Sequence, residues 1–206
     1  MRVTVIDYKA GNLASVVKAL RHLGAEVMVT DADAAAMENA ERIVLPGVGH
    51  FAATERLETT GIAAAVRAAV ARGVPFLGIC VGMQWLYGGS TEAPSCRGLA
   101  HFTQRCTRFP EGGEKVPHVG WNSLDMRPAS RLLRGIRSGE YVYFTHAYKA
   151  PVTEDTAATA HYMEPFAAAV ERGNVMGVQF HPEKSGETGL CILRNFLEWQ
   201  SEGSPC

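Results

Sequence analysis

Phe76-Leu77-Gly78-Ile79-Cys80-Val81-Gly82-Met83-Gln84-Trp85 decides how this chain folds. Residues 75–79 form a continuous apolar run, the pattern of a strand buried on both faces. Gly-x-Cys-x-Gly follows at once, and a helix-compatible stretch comes next. A strand that turns into a helix across a nucleophilic side chain is the nucleophile-elbow arrangement, here with Cys in place of Ser. The glycines follow from sterics. The turn is strained, and a Cβ two residues to either side of Cys80 would clash. Such a turn exposes the sulfur at the carboxyl end of a sheet, at a helix N-terminus that favours thiolate over thiol. The backbone N–H of Val81 would face a developing oxyanion. Taken alone, the segment fits a buried structural cysteine beside packing glycines equally well.

The flanking sequence supplies the sheet. Residues 3–7 read as a strand. Residues 12–23 carry apolar side chains at 13, 16, 17, 20 and 23, a helical spacing, with Gly24 just beyond. Residues 26–29 form a second strand and 42–45 a third, expected to stop at Pro46-Gly47. Residues 61–72 form an alanine-rich helix ended by Gly73. Strands alternating with helices predict a mostly parallel, flavodoxin-like α/β sheet in three layers, helices on both faces. From about residue 96 the pattern changes to short strands at 141–144, 157–161, 166–172 and 174–179. These predict an antiparallel extension, with a hairpin turn at Glu171-Arg172-Gly173-Asn174. Residues 110–114 read as an exposed loop, and a last helix covers about 188–200.

Composition narrows the class. With 206 residues and 47% hydrophobic content, the chain is read as one compact α/β domain, residues 1–206. The net charge of −1 gives no electrostatic support for nucleic-acid binding. Five cysteines at irregular spacing, without a CxxC pair, suggest neither a zinc site nor a disulfide framework. Of these, Cys191 is expected in the core and Cys206 ends the chain. No apolar run reaches the roughly 18 residues that a membrane span needs, and no signal peptide is expected at the start. A reducing cytoplasm is the expected compartment.

Val178-Gln179-Phe180-His181-Pro182-Glu183-Lys184-Ser185 ends another strand pattern, because Pro182 cannot continue it. His181 therefore stops at the same sheet edge as Cys80 if the two strands run parallel. An imidazole there accepts the thiol proton and returns it to a leaving group. A carboxylate fixes its tautomer, and in extended backbone Glu183 points the same way as His181. Such an imidazole predicts activity falling on the acid side at about pH 6–7. By itself, His-Pro-Glu also fits a surface turn with a solvated carboxylate. Leu45-Pro46-Gly47-Val48-Gly49 is either a simple strand-ending turn or a backbone that approaches a ligand closely and flips a peptide.

Together these segments resemble the class I (triad) glutamine amidotransferases over essentially the whole chain. Within that family the chain is similar to the branch serving a (β/α)8-barrel cyclase that makes imidazole glycerol phosphate and AICAR in histidine biosynthesis. The narrower match rests on Asp7-Tyr8-Lys9-Ala10-Gly11-Asn12-Leu13, Pro46-Gly47-Val48-Gly49, Lys115-Val116-Pro117-His118-Val119-Gly120-Trp121-Asn122 and His181-Pro182-Glu183-Lys184-Ser185. The resemblance implies that Cys80 attacks the carboxamide of L-glutamine, that His181 shuttles protons and that Glu183 orients it. It implies an oxyanion site at Val48, Gly49 and Val81. Glutamine would be held by Gly49, Gln84, Glu92 and the backbone of Ala147 and Tyr148. It further implies a heterodimer with the barrel subunit through Asn12, Trp121 and Lys184, and no metal or cofactor. Two positions depart from the pattern. Ala147 replaces a common Ser or Thr, leaving only a main-chain contact, and Lys9-Ala10 replaces smaller residues. Other readings remain: a glutaminase feeding another acceptor such as a nucleotide sugar, a catalytically inactive regulatory subunit, and a thiol peptidase or glyoxalase-like protein.

Overall fold

The computed structural model describes residues 1–9, 12–31, 33–127 and 130–200. Ala10, Gly11 and Cys206, singled out above, lie outside the described residues.

Five strands build the parallel half of the sheet. They are β1 (Arg2–Ile6), β2 (Glu26–Thr30), β3 (Ile43–Gly47), β4 (Phe76–Cys80) and, much later in the chain, β14 (Val175–Val178). Between β4 and β14 come β5 (Gly89–Ser90), β6 (Ala93–Arg97), β7 (Thr107–Arg108), β8 (His118–Ser123), β9 (Asp125–Met126), β10 (Tyr141–His146), β11 (Tyr148–Lys149), β12 (Thr156–Tyr162) and β13 (Glu164–Arg172). The helices are α1 (Leu13–His22), α2 (Glu55–Thr59), α3 (Ile62–Ala71), α4 (Val81–Trp85) and α5 (Gly186–Leu197).

Eight strands share one sheet in the order β2-β1-β3-β4-β14-β13-β12-β9. The pairs from β2 through β14 are parallel, and those from β14 through β9 are antiparallel. This is the expected mostly parallel α/β sheet with an antiparallel extension. Its first four strands follow the doubly wound order, in which ligands bind beyond the carboxyl ends of the strands. Every residue of β4 is buried, as its unbroken apolar run requires. Helix α1 buries Val16, Val17, Ala19 and Leu20 on one stripe. The β13–β14 hairpin turns on Gly173, with φ of 59°. Asn174 then donates its side-chain amide to the carbonyls of Val70 and Val74, tying the hairpin to the α3 end.

Four expectations are corrected. Strand β3 runs through Pro46 to Gly47 rather than stopping before them. The Ile43 N–H donates to Pro75 on the β4 side. By alternation the nitrogen of Pro46 faces β1, where pairing has already ended at Val44, so no ladder bond is lost. Residues 141–144 do not extend the main sheet: β10 pairs with β8 in a separate antiparallel ladder. Cys191 is only half-buried on α5, outside the core cluster. The last helix begins at Gly186 and ends at Leu197. Among the described residues, no helix is long and apolar enough to cross a membrane.

Candidate active site

Cys80 is the last residue of β4 and precedes α4 directly, with φ of 55° and ψ of −109°. That backbone is strained for any residue with a Cβ. Close packing imposes it. A Cβ on Gly78 would lie 2.4 Å from the carbonyl oxygen of Gly82, and one on Gly82 would lie 1.9 Å from that of Leu45. Both glycines of Gly-x-Cys-x-Gly are therefore required, for the steric reason read in the sequence. Gly47 stands opposite Cys80 in the parallel β3–β4 pair. It too has no room for a side chain, since a Cβ there would meet the Tyr8 hydroxyl at 1.9 Å. Gly49 differs: nothing lies within 4 Å of its missing Cβ, but its φ is +94°. Sterics fix Gly47, whereas conformation fixes Gly49.

Cys80 opens into a cavity of about 150 Å³. That is below the range of about 300–1,000 Å³ typical of drug-sized ligands and suits something the size of one amino acid. Val48, Gly49 and Val81 line it beside the sulfur, and Gln84, Glu92, Ala147 and Tyr148 complete its wall. All the residues expected to hold substrate or oxyanion thus meet at one place. Glu92 is itself anchored, its Oε2 accepting the Phe51 N–H at 2.8 Å. Gln84 donates from Nε2 to the Tyr148 carbonyl at 3.0 Å and to Gln179 Oε1 at 3.1 Å. Gln179 then donates from Nε2 toward Cys80 Sγ at 3.6 Å, and the Thr145 carbonyl lies 3.9 Å from the same sulfur.

Strand β14 runs parallel to β4, with Val178 opposite Ile79, so His181 emerges at the same sheet edge as Cys80. Ser185 holds the emerging chain: its hydroxyl donates to the His181 carbonyl at 2.6 Å and accepts the Tyr143 N–H at 3.0 Å. His181 Nδ1 lies 2.8 Å from Glu183 Oε1. A carboxylate only accepts, so Nδ1 carries the proton. The route to this contact differs from the extended backbone expected. Residues Pro182–Lys184 form a short 3-10 turn, which Pro182 is preorganised to start. The side chains of His181 and Glu183 are 1% and 0% exposed. Burial opposes protonation of the ring, but interactions with Cys80 and Glu183 outweigh it and raise His181 to about 9. His181 Nε2 is buried without a hydrogen-bond partner. A ring raised to about 9 is expected to show its own titration on the alkaline side rather than at about pH 6–7.

A cysteine on an elbow, a buried imidazole oriented by a carboxylate, and a small polar cavity can together perform acyl transfer. A family model described as glutamine amidotransferase class-I matches residues 4–199. The chain belongs to the class-I glutamine amidotransferases. A relative from Caldanaerobacter subterraneus subsp. tengcongensis, named imidazole glycerol phosphate synthase subunit HisH, is 44% identical over 200 residues, covering 95% of this chain and 97% of the relative. The Arabidopsis thaliana protein named imidazole glycerol phosphate synthase hisHF, chloroplastic, is 42% identical, and the match covers 95% of this chain but 34% of that longer protein. A solved structure described as a glutamine amidotransferase superposes with a TM-score of 0.74 at 22% identity, covering 95% of this chain and 97% of that one, which shows the shared fold.

The three residues expected at a partner face separate into two kinds. Trp121 is 56% exposed, with its ring edge-on to Tyr143 at 6.0 Å between centres. Lys184 is exposed and places Nζ 5.8 Å from the centre of the Tyr143 ring. Asn12 instead turns inward. It takes the N-cap of α1 with φ of 54° but does not cap the helix with its side chain, and its Nδ2 donates to Glu183 Oε1 at 2.5 Å. The sequence reading missed Gln179, Thr145 and Tyr8. A polar residue inside an apolar strand run was the available signal for Gln179, because a buried amide needs partners. Among the described residues no group of three or more His, Cys, Asp and Glu is placed to hold a metal ion.

Proposed function

We infer that this glutamine amidotransferase serves as a HisH-type glutaminase subunit of imidazole glycerol phosphate synthase, in histidine biosynthesis. We propose that it hydrolyses L-glutamine to glutamate and ammonia with Cys80 as nucleophile, His181 as proton carrier and Glu183 as its orienting group. The observation that carries this reading is the His181–Glu183 contact of 2.8 Å, just beyond the strand that pairs with that of an elbow cysteine opening into an amino-acid-sized cavity.

Thiolate attack on the carboxamide carbon places negative charge on its oxygen, which the N–H of Val81 and the Val48–Gly49 backbone would receive. Glu92 would face the substrate ammonium, with Gln84, Gly49 and the Ala147–Tyr148 main chain around the rest. Collapse of the tetrahedral adduct breaks the carbon–nitrogen bond. His181 gives its proton to the departing nitrogen, and ammonia leaves a thioester on Cys80. Water then attacks the thioester, giving its proton to His181, and glutamate is released.

We infer further that the ammonia passes to a (β/α)8-barrel cyclase subunit, which makes imidazole glycerol phosphate and AICAR. The Arabidopsis relative, in which the matching region is one part of a longer synthase, supports a close partner. The exposed Trp121 and Lys184 beside the Glu183 turn support its docking near the site. The span from β1 to β14 within one sheet supports residues 1–206 acting as one glutaminase domain. The test is ammonia release from glutamine by the complex with its barrel subunit. Native complex is expected to release it and Cys80→Ala complex to release none; full activity in the variant sinks the proposal.

A further inference from the structure

Two histidines outside the proposed catalytic set are buried at the cavity, His146 in its wall and His118 behind His146. His118 and His146 are 4% and 6% exposed and stand opposite each other in the β8–β10 ladder. His118 Nδ1 and His146 Nε2 are 3.1 Å apart. His146 Nδ1 is 2.9 Å from the Tyr148 carbonyl oxygen. Elementary donor counting fixes both tautomers. A carbonyl only accepts, so His146 Nδ1 carries hydrogen. In a neutral ring Nε2 is then an acceptor, and His118 must donate to it from Nδ1. His118 Nε2 is left as an acceptor, with Asn122 Nδ2 3.5 Å away.

The surroundings keep both rings neutral. Burial pushes His118 down to about 4 and His146 down to about 3. Tyr162 and Phe144 stack on the two faces of His118 at 4.1 and 5.0 Å. Hydrogen bonds therefore run one way, from Asn122 through His118 and His146 to the Tyr148 oxygen. That oxygen also accepts Gln84 Nε2, whose other acceptor is Gln179, the residue donating toward Cys80 Sγ. Gln84 and Tyr148 line the cavity, as does His146 itself.

We propose that His118 and His146 are positioning residues for the substrate: they hold the Tyr148 carbonyl, and through it Gln84, in the orientation that binds glutamine. The proposal rests on the glutaminase reading above. A donor at His146 Nδ1 is its essential element. His118 acts behind it, fixing the tautomer that provides that donor.

The test uses the complex with the barrel subunit and separates binding from turnover. His146→Asn keeps an amide N–H near the position of Nδ1, and His146→Phe has no donor. His146→Phe is expected to raise the glutamine KM at least tenfold while changing kcat less than threefold. His146→Asn is expected to return KM to within about threefold of native. His118→Phe is expected to raise KM less, and His118→Asn to recover it. A folded His146→Phe protein with native KM, or with kcat alone reduced, overturns the proposal. If His146→Phe does not fold, His146→Asn is compared with His146→Gln, whose amide reaches the position of Nε2 instead; equal KM values overturn it. Glutamine titration by calorimetry in a Cys80→Ala background gives the same comparison without turnover. Absence of ammonia release by native complex would defeat the glutaminase reading, and the titration would still decide the positioning role.

Discussion

Asn12 donates to the same Glu183 oxygen that holds the His181 ring, at 2.5 Å, although 171 residues separate the two in sequence. A residue at the start of α1 thus orients the proposed orienting carboxylate. Glu183 Oε2 is buried without a partner, so Oε1 carries both contacts. Hydrogen bonds to charged groups contribute about 1.5–3 kcal/mol. Asn12→Ala is expected to lower glutaminase kcat/KM by about tenfold to a hundredfold. Steady-state kinetics of the complex check this, and an unchanged kcat/KM would show that Asn12 does not steady the pair.

The elevated His181 value sets a pH window. Its folded value, about 9, lies above the ordinary 6.5, so protonation stabilises the native state. That stabilisation is complete below about pH 6.5 and is lost as pH rises through about 9. Native protein is therefore expected to melt at a lower temperature at pH 9.5 than at pH 6.5, and the difference should shrink in Glu183→Gln. Turnover should fall on the alkaline side near pH 9 as the ring loses the proton it delivers to the leaving nitrogen. Thermal melts and kcat/KM profiles from pH 5.5 to 10 measure both effects; a native profile flat through pH 10 would count against a protonated His181.

Gly82 and Gly49 should fail differently when each becomes alanine. At Gly82 the new Cβ would lie 1.9 Å from a backbone oxygen of β3, which cannot step aside cheaply. Gly82→Ala is expected to destabilise the protein by about 1–3 kcal/mol or more and lower its melting temperature by several degrees. At Gly49 there is room, and the cost is backbone strain at φ +94°. Gly49→Ala is expected to lose glutaminase activity with a smaller fall in melting temperature. Circular dichroism melts beside ammonia assays distinguish them, and equal melting temperatures for the two variants would refute the steric account.

Lys184 has no ion pair among the described residues, and Trp121 is largely solvent-exposed. Replacing either by alanine is expected to change the stability of the isolated subunit by no more than about 0.5 kcal/mol. Association with the barrel subunit should weaken about tenfold or more, as loss of an exposed aromatic or charged anchor does. Titration calorimetry with the purified partner decides it, and native affinity in both variants would move the docking face elsewhere.

The legible parts of this protein were those written locally. Gly78 and Gly82 announce the elbow because the clash they avoid lies within a few residues and one neighbouring strand. The apolar run of β4 and the Gly173 turn are likewise local signals. Substrate-wall residues such as Glu92 and Tyr148 were reached through family likeness, since nothing in their own neighbourhoods marks a cavity. Contacts formed by distant chain segments left no trace. The Asn12–Glu183 bond is one, and the β8–β10 pairing that brings His118 to His146 is another. His118–Ser123 was not readable as a strand because Gly120 interrupts it and its apolar residues do not alternate cleanly. Pro46 misled for a related reason: proline ends a strand only where the lost donor had a partner.

The placement of β14 beside β4 also governs when the protein can first act. Cys80 leaves the ribosome well before His181, and only a late strand inserted into an existing sheet brings them together. A nascent or truncated chain holding Cys80 but lacking β14 has a thiol without its imidazole. The proposed glutamine hydrolysis therefore waits until His181 has been made and β14 has joined the sheet beside β4.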